Sequence, residues 1–413
     1  MRTLDEHRAA ALSLAAPLPT VQVPLADALG HVLAAAVHAD EPLPRWDNSS
    51  MDGYAVRQAD VVGASADRPA MLPVVADLPA GTAQDARLRA GTAMRIMTGA
   101  PVPPGADTIV PVEDTDGGTG SVRITAAPQV GVYVRRAGGD VRPGDLVMDA
   151  GTLLGPTQVA AVAAVGRATV PVHRRPRVAV VSTGDELAEP GAPLRRGQIP
   201  DSNSWLLAAA VRDAGAEAVR LGPVGDDPQA LAALLADLDD GTSPVGPVDV
   251  LLTSGGVSMG AYDVVKAALQ HEPGVEFVQV AVQPGKPQGL GRLPGGTLVF
   301  ALPGNPVSSY TSFEVFVRPA LLRLRGLAEV ERPQQVAVVD EGWHTPPRRA
   351  QLMPVRWTGR AADGSGLVRP ATPGGSGSHL VASLAHAEGL AIVPAEVEEV
   401  VVGDRVHVLR TGS

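Results

Sequence analysis

At 413 residues the chain exceeds one ordinary domain, and about two to four are expected. A formal net charge of −10 argues against non-specific binding to nucleic acid or an anionic membrane, and the absence of cysteine excludes disulfides, thiolate metal sites and cysteine nucleophiles. Hydrophobic residues form 45% of the chain but aromatics only 3%, so Ala, Val and Leu must build the cores, and no apolar run approaches the ~20 residues of a membrane span.

The N-terminus, MRTLDEHRAAALSLAAPLPT, carries acids ahead of a short apolar run, unlike a signal peptide, and a cytoplasmic protein is expected. Apolar positions at helical spacing predict a helix over 4–14 and another over 22–37. PLPRWDNSSMDGYAV then opens a new unit. From Asp47 to about Val130, β-like runs such as MLPVVADL, TAMRIM and SVRITA between turns predict a small β-rich domain. PTQVAAVAAVGR over 156–167 predicts an Ala-rich helix with Pro in its first turn. The expected organisation joins 1–46 and 131–176 into one helical unit, with 47–130 inserted.

Residues 177–328 alternate strand and helix. Strands are predicted over 178–182, 216–222, 249–253, 275–283 and 297–302. Helices are predicted over 202–214, with Asp201 or Ser202 as N-cap, and over 228–239, 263–271 and 306–325. Such alternation implies a parallel sheet covered on both faces. From 329 to 413 the text is β again (QQVAVVD, QLMPVRW, LAIVPAE, DRVHVLR), which reads as a small C-terminal barrel or sandwich.

Within the α/β unit three glycine-rich turns follow predicted strands. They are Ser182-Thr183-Gly184-Asp185-Glu186, the run Thr253-Ser254-Gly255-Gly256-Val257-Ser258 through Asp263, and Leu302-Pro303-Gly304-Asn305-Pro306 through Ser309. Turns at the carboxyl ends of strands in an open sheet gather along one edge, where ligands bind. Glycine allows close backbone approach, and helix N-termini offer free N–H groups, so three such turns point to a large phosphate-bearing ligand. The bland alternative makes Asp263 an N-cap and the glycines mere turn formers. Asp185 and Glu186 at a strand end suit a divalent cation, which takes a few carboxylates together with substrate phosphates; otherwise they are a solvated loop. Lys286, in Pro-Gly-Lys-Pro, is one of only two lysines and is held by a rigid backbone. Arg135, Arg136 and Asp140 share one turn. The chain has no GxxxxGK[ST] and no HExxH, which argues against an ordinary ATPase and a zinc hydrolase.

DNSSMDGYAV, RIMTGAPVPPGADTIVPVED, STGDEL, GQIPDSN, SGGVSMGAYD, PGKP and LPGNPVSS occur in this order between about Pro24 and Val408. In this the chain resembles the molybdopterin molybdenumtransferase family, to which the E domain of gephyrin also belongs. The resemblance implies a multidomain α/β-plus-β fold: a helical segment, an inserted β-rich domain, a molybdopterin-binding-like α/β domain and a C-terminal β barrel, in an elongated homodimer. It implies that adenylylated molybdopterin is bound, molybdate enters the dithiolene, and the pyrophosphate linkage is hydrolysed with release of AMP, with Mg2+ as cofactor. It also brings in the adenylyltransferase of the preceding step as a partner. By motif match the functional acids are Asp52, Asp140, Glu186, Asp226 (or its neighbour Asp227) and Asp263, with Asp185 and Glu186 toward the metal. Substrate would meet Thr183, Gly255, Gly256, Ser258, Lys286, Asn305, Ser308, Arg135, Arg136, Ser378 and Arg349.

One departure stands out. Gln279 and Gln283 occupy positions where the family often carries lysine, and a glutamine gives no charge-assisted contact. Two rival readings remain. The adenylyltransferase needs only the α/β unit, so the β domains count against it. A gephyrin-like scaffold adds a further domain through a long linker, which this chain is expected to lack.

Overall fold

The computed structural model describes residues 1–84, 86–257, 263–372, 377 and 379–411. The helix expected at the N-terminus spans Leu4–Leu14. Thr3 caps it, its hydroxyl accepting the Glu6 N–H while the Glu6 carboxylate accepts the Thr3 N–H. Its buried face carries Ala11 into the α/β core and sets His7 edge-on to Phe316, ring centroids 4.6 Å apart. The helix therefore docks on the α/β unit. Burial, with a smaller push from Arg2, lowers the His7 pKa to about 4. The unfolded chain then binds the proton that the folded state refuses, so this contribution is complete above pH 6.5 and is lost as the pH falls toward 4. The loss amounts to about 3 kcal/mol. His7→Leu is expected to flatten the decline of Tm across that window, measured by thermal melts from pH 7 to 4; an unchanged slope would refute it.

The helix expected over 22–37 does not form. Thr20–Pro24 is a strand paired antiparallel with Thr169–His173, followed by a 3-10 turn at Leu25–Asp27 and by Gly30 at φ +75. Tertiary pairing overrides helical spacing here, and Leu33 and Val37 are buried in one cluster with Leu154, Val170 and Val172. A second short pairing joins Val37–His38 to Leu146–Met148. Between these paired segments lies a five-stranded sheet, in order Thr108–Pro111, Gly53–Val56, Ala93–Ile96, Ala70–Leu78 and Ser121–Ile124.

The α/β sheet runs Glu217–Val224, Arg177–Thr183, Val250–Ser254, Leu298–Leu302, Pro287–Arg292, Val275–Gln279. Its first four strands are parallel, and every residue of Val250–Ser254 and Leu298–Leu302 is buried, as a sheet covered on both faces requires. One face packs Val180, Leu252 and Phe300 against Leu207, Val211 and Leu321; the other packs Val181, Leu251 and Val299 against Leu231, Leu235 and Val265. Pro287–Arg292 runs antiparallel to both its neighbours, Leu298–Leu302 and Val275–Gln279, which modifies the expected all-parallel sheet. Strand Pro287–Arg292 was not predicted. Its text, PQGLGR, hides the pattern because a Cβ on Gly289 would stand 2.8 Å from the Ala301 side chain and one on Gly291 2.1 Å from the Gly274 carbonyl. The expected helix over 306–325 is present as Pro306–Ser312 and Arg318–Leu324 around a π turn at Phe313–Val317.

The run expected as one strand over 275–283 splits between two sheets. Val275–Gln279 stays in the α/β sheet, while Val282–Gln283 pairs with Ala350–Gln351 of the C-terminal unit. That unit closes as a small barrel through Ala350–Arg360, Gly366–Pro370, Gln334–Val339, Arg405–Arg410 and Gly389–Val393, the last pairing back on the first. Among the described residues no helix is long and apolar enough to cross a membrane.

Candidate functional site

Three neighbouring parallel strands end level with one another: Ser182 lies opposite Ser254, and Ser254 opposite Leu302. The three glycine turns that follow therefore share one rim. They open onto a cleft of about 1580 Å3 whose far wall is the C-terminal barrel. At Gly255, φ is +103 and a Cβ would stand 2.8 Å from the Thr183 carbonyl. A Cβ on Gly304 would stand 3.3 Å from the Gly255 Cα. Backbone packs on backbone here, and only glycine permits it.

Of the expected acids, the cleft is lined by Glu186, Asp226 and Asp263. Asp263 occupies the N-cap position of the helix Val264–Leu269, yet its side chain makes no capping bond, and its Oδ2 is buried without a partner among the described residues. The simple cap reading is thereby removed. Asp226 and Asp227 separate clearly: Asp227 caps the helix Pro228–Asp239, accepting the N–H groups of Gln229 and Ala230, while Asp226 stands in the cleft wall. Asp185, expected beside Glu186 toward a metal, is not among the lining residues. Its Oδ1 accepts the Asp226 N–H at 3.1 Å, so it holds the facing loop instead. The hydroxyl of Thr183 is also buried at this rim with no partner among the described residues.

Of the residues expected to bind substrate, Thr183, Gly255, Gly256, Lys286, Asn305, Ser308 and Arg349 line the cleft. Asn305, like Asp263, sits at an N-cap position without a capping bond. Ser258 and Ser378 lie outside the described residues. Lys286 rides on a loop held by buried Gln288, which donates to the Gly285 carbonyl and to the Ser312 hydroxyl, both at 2.7 Å. The pairing of Val282 with Ala350 carries Arg349 to the same cleft. Gln283 lines the cleft and Gln279 does not. Sequence reasoning missed Asn203 and the barrel residues Trp343, His344, Gln351 and His379, all of them lining. The GQIPDSN run was a usable signal for Asn203; nothing local marked the others.

Asp52, Asp140, Arg135 and Arg136 are not in the cleft wall. Arg135, Arg136 and Asp140 lie on a segment tied to residues 43–49, through pairing of Asn48–Ser49 with Val134–Arg135 and the Asp140 N–H bond to the Leu43 carbonyl. Asp52 accepts the backbone N–H and the hydroxyl of Thr98 at 2.7 and 2.8 Å, and these bonds hold its carboxyl below the usual range. Arg136 pairs with Asp47 at 2.6 Å.

Three family models cover this architecture: "MoeA N-terminal region (domain I and II)" over 2–166, "Probable molybdopterin binding domain" over 179–323 and "MoeA C-terminal region (domain IV)" over 336–410. Fold and site together define a molybdopterin-handling α/β enzyme. The chain is 45% identical to molybdopterin molybdenumtransferase 2 of Mycobacterium tuberculosis, over 99% of both chains, and 33% identical to the molybdopterin molybdenumtransferase of Haemophilus influenzae, over 82% of this chain and 81% of that protein. The crystal structure of a molybdopterin biosynthesis MoeA protein from Pyrococcus horikoshii matches with a TM-score of 0.82 and 32% identity, over 100% of this chain and 99% of that one. The chain belongs to the molybdopterin molybdenumtransferase family, transferases of molybdenum cofactor biosynthesis.

Proposed function

We propose that the protein binds adenylylated molybdopterin, admits molybdate to its dithiolene and hydrolyses the pyrophosphate linkage, releasing AMP. The carrying observation is that three glycine turns and three carboxylates open on a single cleft large enough for a dinucleotide-sized ligand. Backbone N–H groups of the turns would face phosphate oxygens, with Lys286 and Arg349 as the side-chain cations.

Charge balance argues for a divalent cation. Among the described lining residues, Glu186, Asp201, Asp226 and Asp263 oppose only Lys286 and Arg349, so a bare pyrophosphate would enter a net negative cleft. No three His, Asp or Glu side chains among the described residues stand close enough to hold an ion by themselves. That suits Mg2+, which takes one or two carboxylates and completes its shell with water and substrate phosphate. One or two of Glu186, Asp226 and Asp263 would hold it, and when bound it would neutralise charge on the phosphate being released. In the proposed reaction Asn305 and Ser308 seat the pterin, and a carboxylate takes the proton of the attacking water. Asp52 and Asp140, open to solvent outside this cleft, complete it from the second protomer of a homodimer.

Purified protein given adenylylated molybdopterin is expected to release AMP only when molybdate and Mg2+ are both present, measured by nucleotide chromatography. Release without molybdate would sink the coupling. Adenylylation of molybdopterin by ATP would favour the preceding adenylyltransferase instead. In that alternative the same adenylyltransferase would be a rival identity; in the reading preferred here it is a partner that hands over the substrate.

A further inference from the structure

The Asn203 amide bridges two of the glycine turns. Its Nδ2 donates to the Ser254 hydroxyl at 2.9 Å and to the Gly304 carbonyl at 2.6 Å. A carbonyl only accepts, so the amide orientation is determined and Oδ1 cannot exchange places with Nδ2. The bridge continues inward, since the Ser254 hydroxyl lies 3.1 Å from that of Ser309, which donates to the Pro303 carbonyl. Oδ1 is left buried and without a partner among the described residues. A leucine of the same branching would carry no stranded oxygen, so the amide serves for its two N–H donors.

Asn203 is in turn anchored from behind. Buried Asp201 accepts the Ser204 N–H at 3.1 Å and the Ser204 hydroxyl. Arg220 donates to that same hydroxyl at 3.0 Å and to Glu189 at 2.8 Å, with its guanidinium 4.2 Å from the Trp205 ring centre. Arg220 itself does not line the cleft. It ties the loop after Glu186 to the first turn of the helix that carries Asn203.

We propose that Asn203 is a positioning residue that sets the spacing of the Gly255 and Gly304 turns for phosphate, and that Arg220 holds Asn203 in place through Ser204 and Asp201. This rests on the phosphate-binding reading above. The test is calorimetric titration of the full-length protein with AMP and Mg2+, alongside thermal melts. N203L is expected to weaken AMP binding about tenfold with Tm unchanged or raised, and R220M about threefold. An N203L Kd within twofold of wild type would overturn the positioning role. Losses of affinity that track equal losses of Tm in both variants would overturn it too, in favour of general loosening. If N203L does not fold, R220M decides: unchanged AMP affinity there removes the anchoring and the proposal. Wild-type protein that binds no AMP in the presence of Mg2+ removes the phosphate reading itself, a result distinct from all of these.

Discussion

Asp263→Asn is expected to lower AMP release by about 100- to 1000-fold while leaving the melting temperature within about a degree of wild type. The structural cost is small because the side chain caps nothing: no bond runs from it to the helix Val264–Leu269, and its Oδ2 has no partner among the described residues. The functional cost is large because the substitution removes one of the three expected carboxylates that face the cleft. A partner-shared site adds a sharper form of the test. Asp52 stands outside the cleft of its own chain, and if it completes the cleft of a partner in the proposed homodimer, D52N protein mixed with D263N protein should form heterodimers with one intact site each. About a quarter of wild-type activity should return on random re-association. Single-turnover assays on the two variants alone and mixed would decide it; no recovery on mixing, with heterodimers present, would overturn the shared site.

Gly255→Val is expected to abolish at least about 99% of AMP release and to destabilise the fold by about 1–3 kcal/mol. Two causes act together. The residue adopts φ +103, which a β-branched side chain resists, and its Cβ would stand 2.8 Å from the Thr183 carbonyl and 2.9 Å from the Thr183 hydroxyl. Both neighbours belong to the rim, so the turn must shift and carry with it the amides proposed to face phosphate. Gly296→Val is the control. It carries a similar φ of +108 with nothing within 4 Å and is not among the lining residues, so it should cost stability without costing the reaction. Equal loss of activity in both variants would mean that strain alone, rather than the rim, explains the effect.

Much of the site was legible because its signals are local. A strand followed by glycines and a helix start is written within ten or so residues, and Gly255, Gly256, Asp263, Asn305 and Ser308 were readable in that way, while Lys286 stood out by its rigid Pro-Gly-Lys-Pro setting. The misreadings have long-range causes. Residues 22–37 carry helical spacing, but the partner strand Thr169–His173 lies far along the chain and draws Thr20–Pro24 into a ladder. The strand Pro287–Arg292 was hidden by the glycines that let it pack closely. Asp185 and Asp226 could not be ranked from text, because each binds the other's loop through backbone N–H groups of a residue about forty positions away.

Sequence alone thus determined most elements of the α/β unit and its three glycine turns, since turn geometry and capping depend on neighbours within a few residues. Only the tertiary structure decided which groups share a cavity. The pairing of Val282–Gln283 with Ala350–Gln351 is what sets Arg349 at the cleft with the glycine rim, and the pairing of Asn48–Ser49 with Val134–Arg135 is what holds Arg135 outside it. Strand pairing between distant segments depends on the burial of whole faces, and no short stretch of sequence carries that information.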